Sequence, residues 1–193
     1  MANKLDEIIV VDIESTCWDQ KTPDRLQESE IIEIGVCVIN VAELTITSNE
    51  GILVLPQNST ISQFCTNMTT ITQEMLNESG IAFSEACLIL RNKYNTNNRL
   101  WASWGDYDRR QFERQCRQPC CNAKYPFGPT HLNVKNLFAI QMRLTREVGM
   151  EEALKLLKME LDGTHHRGVD DAQNIARIAC KLLKSGREKI SMP

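Results

Sequence analysis

Two acids spaced two residues apart, Asp12 and Glu14, close the short apolar run 8–11 near the start of the chain. In a β-strand, residues i and i+2 point to the same face, so these two carboxylates project side by side. Like charges held together repel and raise each other's pKa. A hard divalent cation relieves that repulsion, and oxygen donors suit Mg²⁺ or Mn²⁺. Far along the chain, His166-Arg167-Gly168-Val169-Asp170-Asp171 leads into an amphipathic helix. A histidine five residues ahead of an aspartate spans a loop into the first turn of that helix. The aspartate can then ligate metal, while an imidazole of reference pKa about 6.5 can act as general base toward water. Between these two motifs lies Trp104-Gly105-Asp106-Tyr107-Asp108, and either aspartate there could complete a four-carboxylate cage. Four carboxylates and a histidine match two-metal hydrolysis of a phosphodiester, one ion activating the water and the other stabilising the leaving oxygen. Each piece alone has a plainer use: a solvated strand end, a surface histidine, acids serving a helix N-terminus. Their joint occurrence, in this order, is what makes the signal specific.

These residues depend on elements that position them. The hydrophobic pattern predicts strands over Glu7–Ile13, Ile31–Asn40, Gly51–Leu55 and Leu100–Trp104. Helices are expected over Thr70–Glu78, Ser84–Asn95, Asp108–Gln118, Val134–Val148, Glu151–Leu161 and Asp170–Lys184. The last places Ala172, Ile175, Ala176, Ala179, Leu182 and Leu183 on one apolar stripe. Three strands, then helices alternating with short strands, describe an α/β protein with a mixed sheet flanked by helices. The polar segment Asp19–Ser29, which carries Pro23, reads as a flexible loop.

The chain has 193 residues, 42% hydrophobic and 24% charged, which suits one globular domain with a real core. Lys plus Arg is 22 and Asp plus Glu is 25, a formal net charge of −3. That balance excludes a protein holding nucleic acid by bulk charge alone. It leaves open nucleic acid bound through metal: two divalent ions on four carboxylates would turn −3 into +1. Arg99, Arg109, Arg110, Arg114, Arg117 and Lys124, set against Asp106, Asp108 and Glu113, form a basic segment able to follow a phosphate backbone. The N-terminal apolar run is too short for a signal peptide or a membrane span. The 8 cysteines are therefore expected as reduced thiols in the cytoplasm. With no C-x-x-C pair and only 3 histidines, a zinc site is not expected.

At this point the sequence resembles the DEDDh exonucleases of the ribonuclease H-like fold. Within them it is most similar to the Eri-type 3′-to-5′ exoribonucleases, whose bacterial relatives include the KapD-type proteins. The resemblance rests on Asp12-Ile13-Glu14-Ser15-Thr16-Cys17-Trp18, Glu30-Ile31-Ile32-Glu33-Ile34-Gly35, Phe64-Cys65, Thr70-Ile71-Thr72-Gln73, the stretch 105–108 with Phe112 and Cys116, and the stretch 166–178. It implies a ribonuclease H-like mixed five-stranded sheet with helices on both faces, and a single exonuclease domain over 1–193. It also implies metal-dependent hydrolysis at the 3′ end of RNA, single-stranded or a short overhang, releasing 5′-mononucleotides. The family's third acid is followed by an apolar residue or Phe four positions on and Cys eight positions on. Asp108 fits that pattern through Phe112 and Cys116; Asp106, followed by Arg110 and Arg114, does not.

By the same resemblance, Asp12, Glu14, Asp108 and Asp171 hold two divalent cations, Mg²⁺ or Mn²⁺, and His166 is the general base. Glu14 also touches the terminal ribose, where the family reads the 2′-hydroxyl. His165 does not fit the five-residue spacing and is set aside as a bystander. Phe64 and Tyr107 match positions that sandwich the terminal base, and Ile13 and Glu14 complete the nucleotide contact. Eukaryotic members usually carry Trp where Tyr107 stands, so a weaker grip on the base is expected here. Such members often have an extra nucleic-acid-binding domain ahead of the nuclease; with the first strand expected almost at the start of the chain, such targeting is expected to come from elsewhere. Two other readings stand beside this one: a DNA-preferring enzyme of the same chemistry, and a nucleic-acid-binding module without catalysis.

Overall fold

The apolar run that carries Asp12 and Glu14 forms the middle of a sheet. In the computed structural model, which describes residues 4–19, 21, 28–119 and 121–190, the strands are β1 (Lys4–Ser15), β2 (Ile31–Asn40), β3 (Thr45–Leu53), β4 (Arg99–Ser103) and β5 (His131–Asn133). Their order is β3-β2-β1-β4-β5. β2 pairs antiparallel with β1 and β3, whereas β1, β4 and β5 run parallel. The helices are α1 (Gln63–Thr69), α2 (Gln73–Ser79), α3 (Phe83–Lys93), α4 (Tyr107–Cys116), α5 (Val134–Gln141), α6 (Met150–Leu156) and α7 (Gly168–Ile190). This is the mixed five-stranded α/β sheet that the sequence implies.

Alternation along β1 divides the core. Ile8 and Val10 join Cys37, Ile39, Phe138 and the apolar stripe of α7 on one face. Ile9, Val11 and Ile13 join Val36, Phe83, Leu90 and Phe112 on the other. Helices therefore cover both faces, as a sheet buried on both sides requires. Asp12 and Glu14 share the parity of Ile8 and Val10, so they face the α7 side. That parity decides which helix completes the site.

Several boundaries differ from the sequence pattern, each for a local reason. β3 begins at Thr45, six residues before the expected start, because an edge strand half open to solvent tolerates the polar run 45–50. β5 has only three residues, too short to leave a periodic signal. The helix expected over Thr70–Glu78 is α2, which starts three residues later at Gln73, and α1 before it was not expected. Thr70 itself ends α1 in a left-handed conformation (φ 62°), and Thr72 caps α2 by accepting the Met75 amide. Ser84 lies inside α3, which Ala82 caps without a side-chain bond. α5 stops at Gln141 and α6 at Leu156, well short of Val148 and Leu161. Arg143 and Lys158 take positive φ just beyond those ends, and the amides of Leu144 and Met159 return to Ala139 and Leu154 carbonyls. That geometry is normally announced by glycine; here it is built without one. The segment 19–29 lies largely outside the described residues.

Candidate active site

β4 stops pairing with β1 at Val10, leaving the end of β1 without a strand on that edge. The Ile13 amide there donates to Asp108 Oδ1 at 3.1 Å, so the first turn of α4 supplies the acceptor that a longer strand would have given. On the α7 side, Asp171 stands in that helix's first turn. Carboxylate oxygens of Asp12, Glu14 and Asp171 all lie within 4.8 Å of one another. These acids, Asp108 and His166 line one cavity of about 340 Å³, together with Ile13, Trp104 and Tyr107. A larger cleft of about 540 Å³ between β3 and α7 holds one carboxylate, Glu188, so size alone does not locate the chemistry.

The electrostatics are those of acids gathered without cations. Burial, then the neighbouring Asp108 and Asp171, push the Asp12 carboxyl well above the usual range. Burial, then Asp171 and Glu33, push Glu14 up to about 8. Asp108 is raised to about 7, chiefly by burial, with its own backbone and the Ile13 amide opposing. Burial raises Asp171, opposed first by the imidazole of His165. Burial and then His165 lower the pKa of His166, which favours its neutral form. Among the described residues, no hydrogen-bond donor meets the side chains of Asp12 or Glu14. A hard divalent cation fits this donor set: oxygen ligands converge, their charges repel, and no protein donor among the described residues offsets Asp12 or Glu14.

The other expected residues sort themselves by geometry. Asp108 lines the cavity, whereas Asp106 turns to Arg109 at 3.3 Å, Arg110 at 4.0 Å and the His131 Nδ1 at 3.9 Å. Tyr107 lines the cavity and is exposed; Phe64 is exposed on α1 but does not line it. His165, set aside on spacing, is drawn in: its Nδ1 stands 3.0 Å from Asp171 Oδ2 and its ring stacks on His166 at 3.9 Å. Adjacency to His166 was the only sequence signal for it. The basic segment is not a continuous track. Arg99 is tied to Asp6 and Glu7 at the opposite end of β1, and Arg109 and Arg117 pair with Glu113. Glu33 was quoted only as part of a motif; it is a buried acid bound to Arg167 and to the Gly168 amide. The sequence signal was a charge inside a strand of otherwise apolar residues.

This fold and cluster define a nuclease-type site on a ribonuclease H-like sheet. Residues 9–179 match the RNase T family of exonucleases, and the chain belongs to that family. Among its relatives, the 3′-5′ exoribonuclease 1 of Rattus norvegicus is 30% identical over 196 residues, covering 95% of this chain and 54% of the relative. The 3′-5′ exonuclease Snipper of Drosophila melanogaster is 27% identical over 202 residues, covering 93% of this chain and 70% of that protein. The nuclease domain of 3′hExo, a DEDDh family member solved bound to rAMP, superposes with a TM-score of 0.78 at 26% identity over 96% of each chain. A 3′-exonuclease solved in recognition of a histone mRNA stem-loop gives a TM-score of 0.81 at 27% identity, over 96% of this chain and 66% of that one. The chain spans about half the length of the exoribonuclease 1 relatives it matches.

Proposed function

We propose that the protein is a metal-dependent 3′-to-5′ exonuclease acting on RNA ends, single-stranded or a short overhang, and that residues 1–193 form one exonuclease domain. The observation that carries this reading is the convergence of Asp12, Glu14, Asp108, Asp171 and His166 on one cavity of an exonuclease fold. The four carboxylates would hold two divalent cations, Mg²⁺ or Mn²⁺. Such ions supply Lewis acidity toward the attacking water and the leaving oxygen. His166, favoured in its neutral form by its surroundings, takes the proton from the water. Its backbone amide donates to Asp171 Oδ2 at 3.0 Å, which ties the base to a ligand acid. Tyr107 offers an exposed ring for the terminal base, and Ile13 and Glu14 line the same cavity. Phe64, exposed on α1 and outside the cavity lining, is read as the second ring of the sandwich on its resemblance alone. The resemblance to exoribonucleases and to an rAMP-bound domain supports RNA over DNA. No helix among the described residues is long and apolar enough to cross a membrane. We place the protein in the cytoplasm, the compartment in which a chain rich in cysteine keeps its thiols reduced.

The test is hydrolysis of matched end-labelled RNA and DNA oligomers with Mg²⁺, Mn²⁺ or chelator. Stepwise shortening of RNA from the 3′ end to 5′-mononucleotides, lost with chelator, is expected. Faster DNA shortening overturns the RNA preference. Binding without any mononucleotide release overturns the enzyme.

A further inference from the structure

A general base works only where its imidazole is held, and the segment carrying His166 has no regular secondary structure. His166 sits at φ 64°, a left-handed conformation that costs energy for any residue bearing a side chain. One anchor is the Asp171 carboxylate, already described. The second comes from β2. Glu33 is 1% exposed, and its Oε2 accepts the Gly168 amide at 2.7 Å and Arg167 Nε at 3.1 Å. Its Oε1 accepts Arg167 Nη2 at 2.9 Å. The guanidinium therefore meets the carboxylate through two parallel bonds, the strongest form of this pair. The backbone packs as closely as the side chains: a Cβ on Gly35 would meet the Gly168 carbonyl oxygen at 1.8 Å. Arg167 Nη1 also approaches Thr70 Oγ1 at 3.5 Å, at the end of the helix that carries Phe64. Arg167 does not line the catalytic cavity.

We propose that the Glu33–Arg167 pair is a positioning clasp for the reaction. It fixes the two residues that follow His166 to the sheet floor, so that the strained His166 turn keeps its imidazole in the cavity. The clasp rests on the nuclease reading above. Arg167 acts through His166; it touches neither the acids' ligand oxygens nor the cavity. Misplacing a catalytic group by about 1 Å costs on the order of 100-fold in rate. A lysine at this position keeps the charge but loses the fork, so it restores only part of the effect.

Arg167→Ala, Arg167→Lys and Glu33→Gln are compared with wild type by steady-state kinetics on a 3′-labelled RNA oligomer in Mn²⁺. A Mn²⁺ titration by electron paramagnetic resonance and amide hydrogen exchange accompany them. For Arg167→Ala, kcat is expected to fall about 10- to 100-fold, with KM and Mn²⁺ affinity changed less than about threefold. Arg167→Lys lies between Ala and wild type, and Glu33→Gln falls in the same direction. Exchange rises in peptides spanning 163–169 and stays unchanged in β1. An unchanged kcat overturns the clasp. So does a rise in KM at constant kcat, which would make Arg167 a substrate contact, and so does a large loss of Mn²⁺ affinity. If wild type hydrolyses neither RNA nor DNA, the nuclease reading fails first. The clasp is then judged on exchange alone, and unaltered exchange at 163–169 in Arg167→Ala overturns it.

Discussion

Glu14 and Glu33 are partners across the β1–β2 ladder, and their surroundings are opposite. Glu33 receives a guanidinium and a backbone amide. Glu30, just before β2, is buried too and receives the amides of Gln57, Asn58 and Ser59 at 3.0, 2.8 and 2.6 Å. Asp12 and Glu14 receive no donor among the described residues, and each is pushed upward, first by burial and then by the acids beside it. A buried carboxylate is tolerated when donors satisfy it and is costly when they are missing. The satisfied pair therefore holds the chain together, tying β2 to the 57–59 loop and to the start of α7. Burying the unsatisfied pair is the costlier arrangement in a metal-free fold, and a bound cation would offset that cost. Glu30 serves stability, the unsatisfied pair serves the chemistry, and Glu33 links the two through Arg167.

The largest test of that division is Asp12→Asn. Hydrolysis should fall to the chelator background, while the Tm of the metal-free protein rises by a few degrees, since one of several repelling acids is gone. Activity assays and thermal unfolding in chelator check both halves. A fall in Tm would place Asp12 with Glu30 and remove the contrast. The next effect is on stability. Glu30→Ala strands three amides, one of them on the buried Ser59, at a cost of about 3 kcal/mol, or a Tm drop of roughly 6–12 °C in a chain of this size. Calorimetry should show that drop with and without Mn²⁺, because Glu30 lies outside the cation-binding set.

How far this division was legible in the sequence depends on the range of the interaction. The shared face of Asp12 and Glu14 followed from a period of two, and the central strands from β-branched runs. The five-residue step from His166 to Asp171 needed only local geometry. Choosing Asp108 over Asp106 was beyond spacing alone; the family pattern chose it, and in the fold it is Asp108 that lines the cavity while Asp106 turns to the arginines of α4. The donors that separate Glu33 from Glu14 were invisible, because Arg167 lies 134 residues away in sequence. His165 was set aside because it does not fit the five-residue spacing; its contact with Asp171 comes with a left-handed turn at His166 that no glycine announces. α1 and β5 were missed because one is polar and short and the other has three residues.

The smallest effects are in pH, and they sharpen the contrast without touching catalysis. In the metal-free fold Glu14 keeps its proton up to about 8, whereas its ordinary value is 4.5. Between those values the folded chain binds more protons than the unfolded one, so raising the pH favours unfolding. The Tm of the metal-free protein should therefore drift down from pH 5 to pH 8, with Asp108, raised to about 7, adding to the same drift. Mn²⁺ should raise Tm more at pH 8 than at pH 5, because cation and proton compete for the same oxygens. Glu14→Gln removes a titrating group from the cluster, so it should flatten the drift by a degree or two. Thermal scans at three pH values, with chelator and with Mn²⁺, separate these outcomes. An equal slope in wild type and Glu14→Gln would mean that the metal-free site meets its charges by some other route, such as water or a monovalent ion, and that Glu14 and Glu33 differ less than their neighbours imply.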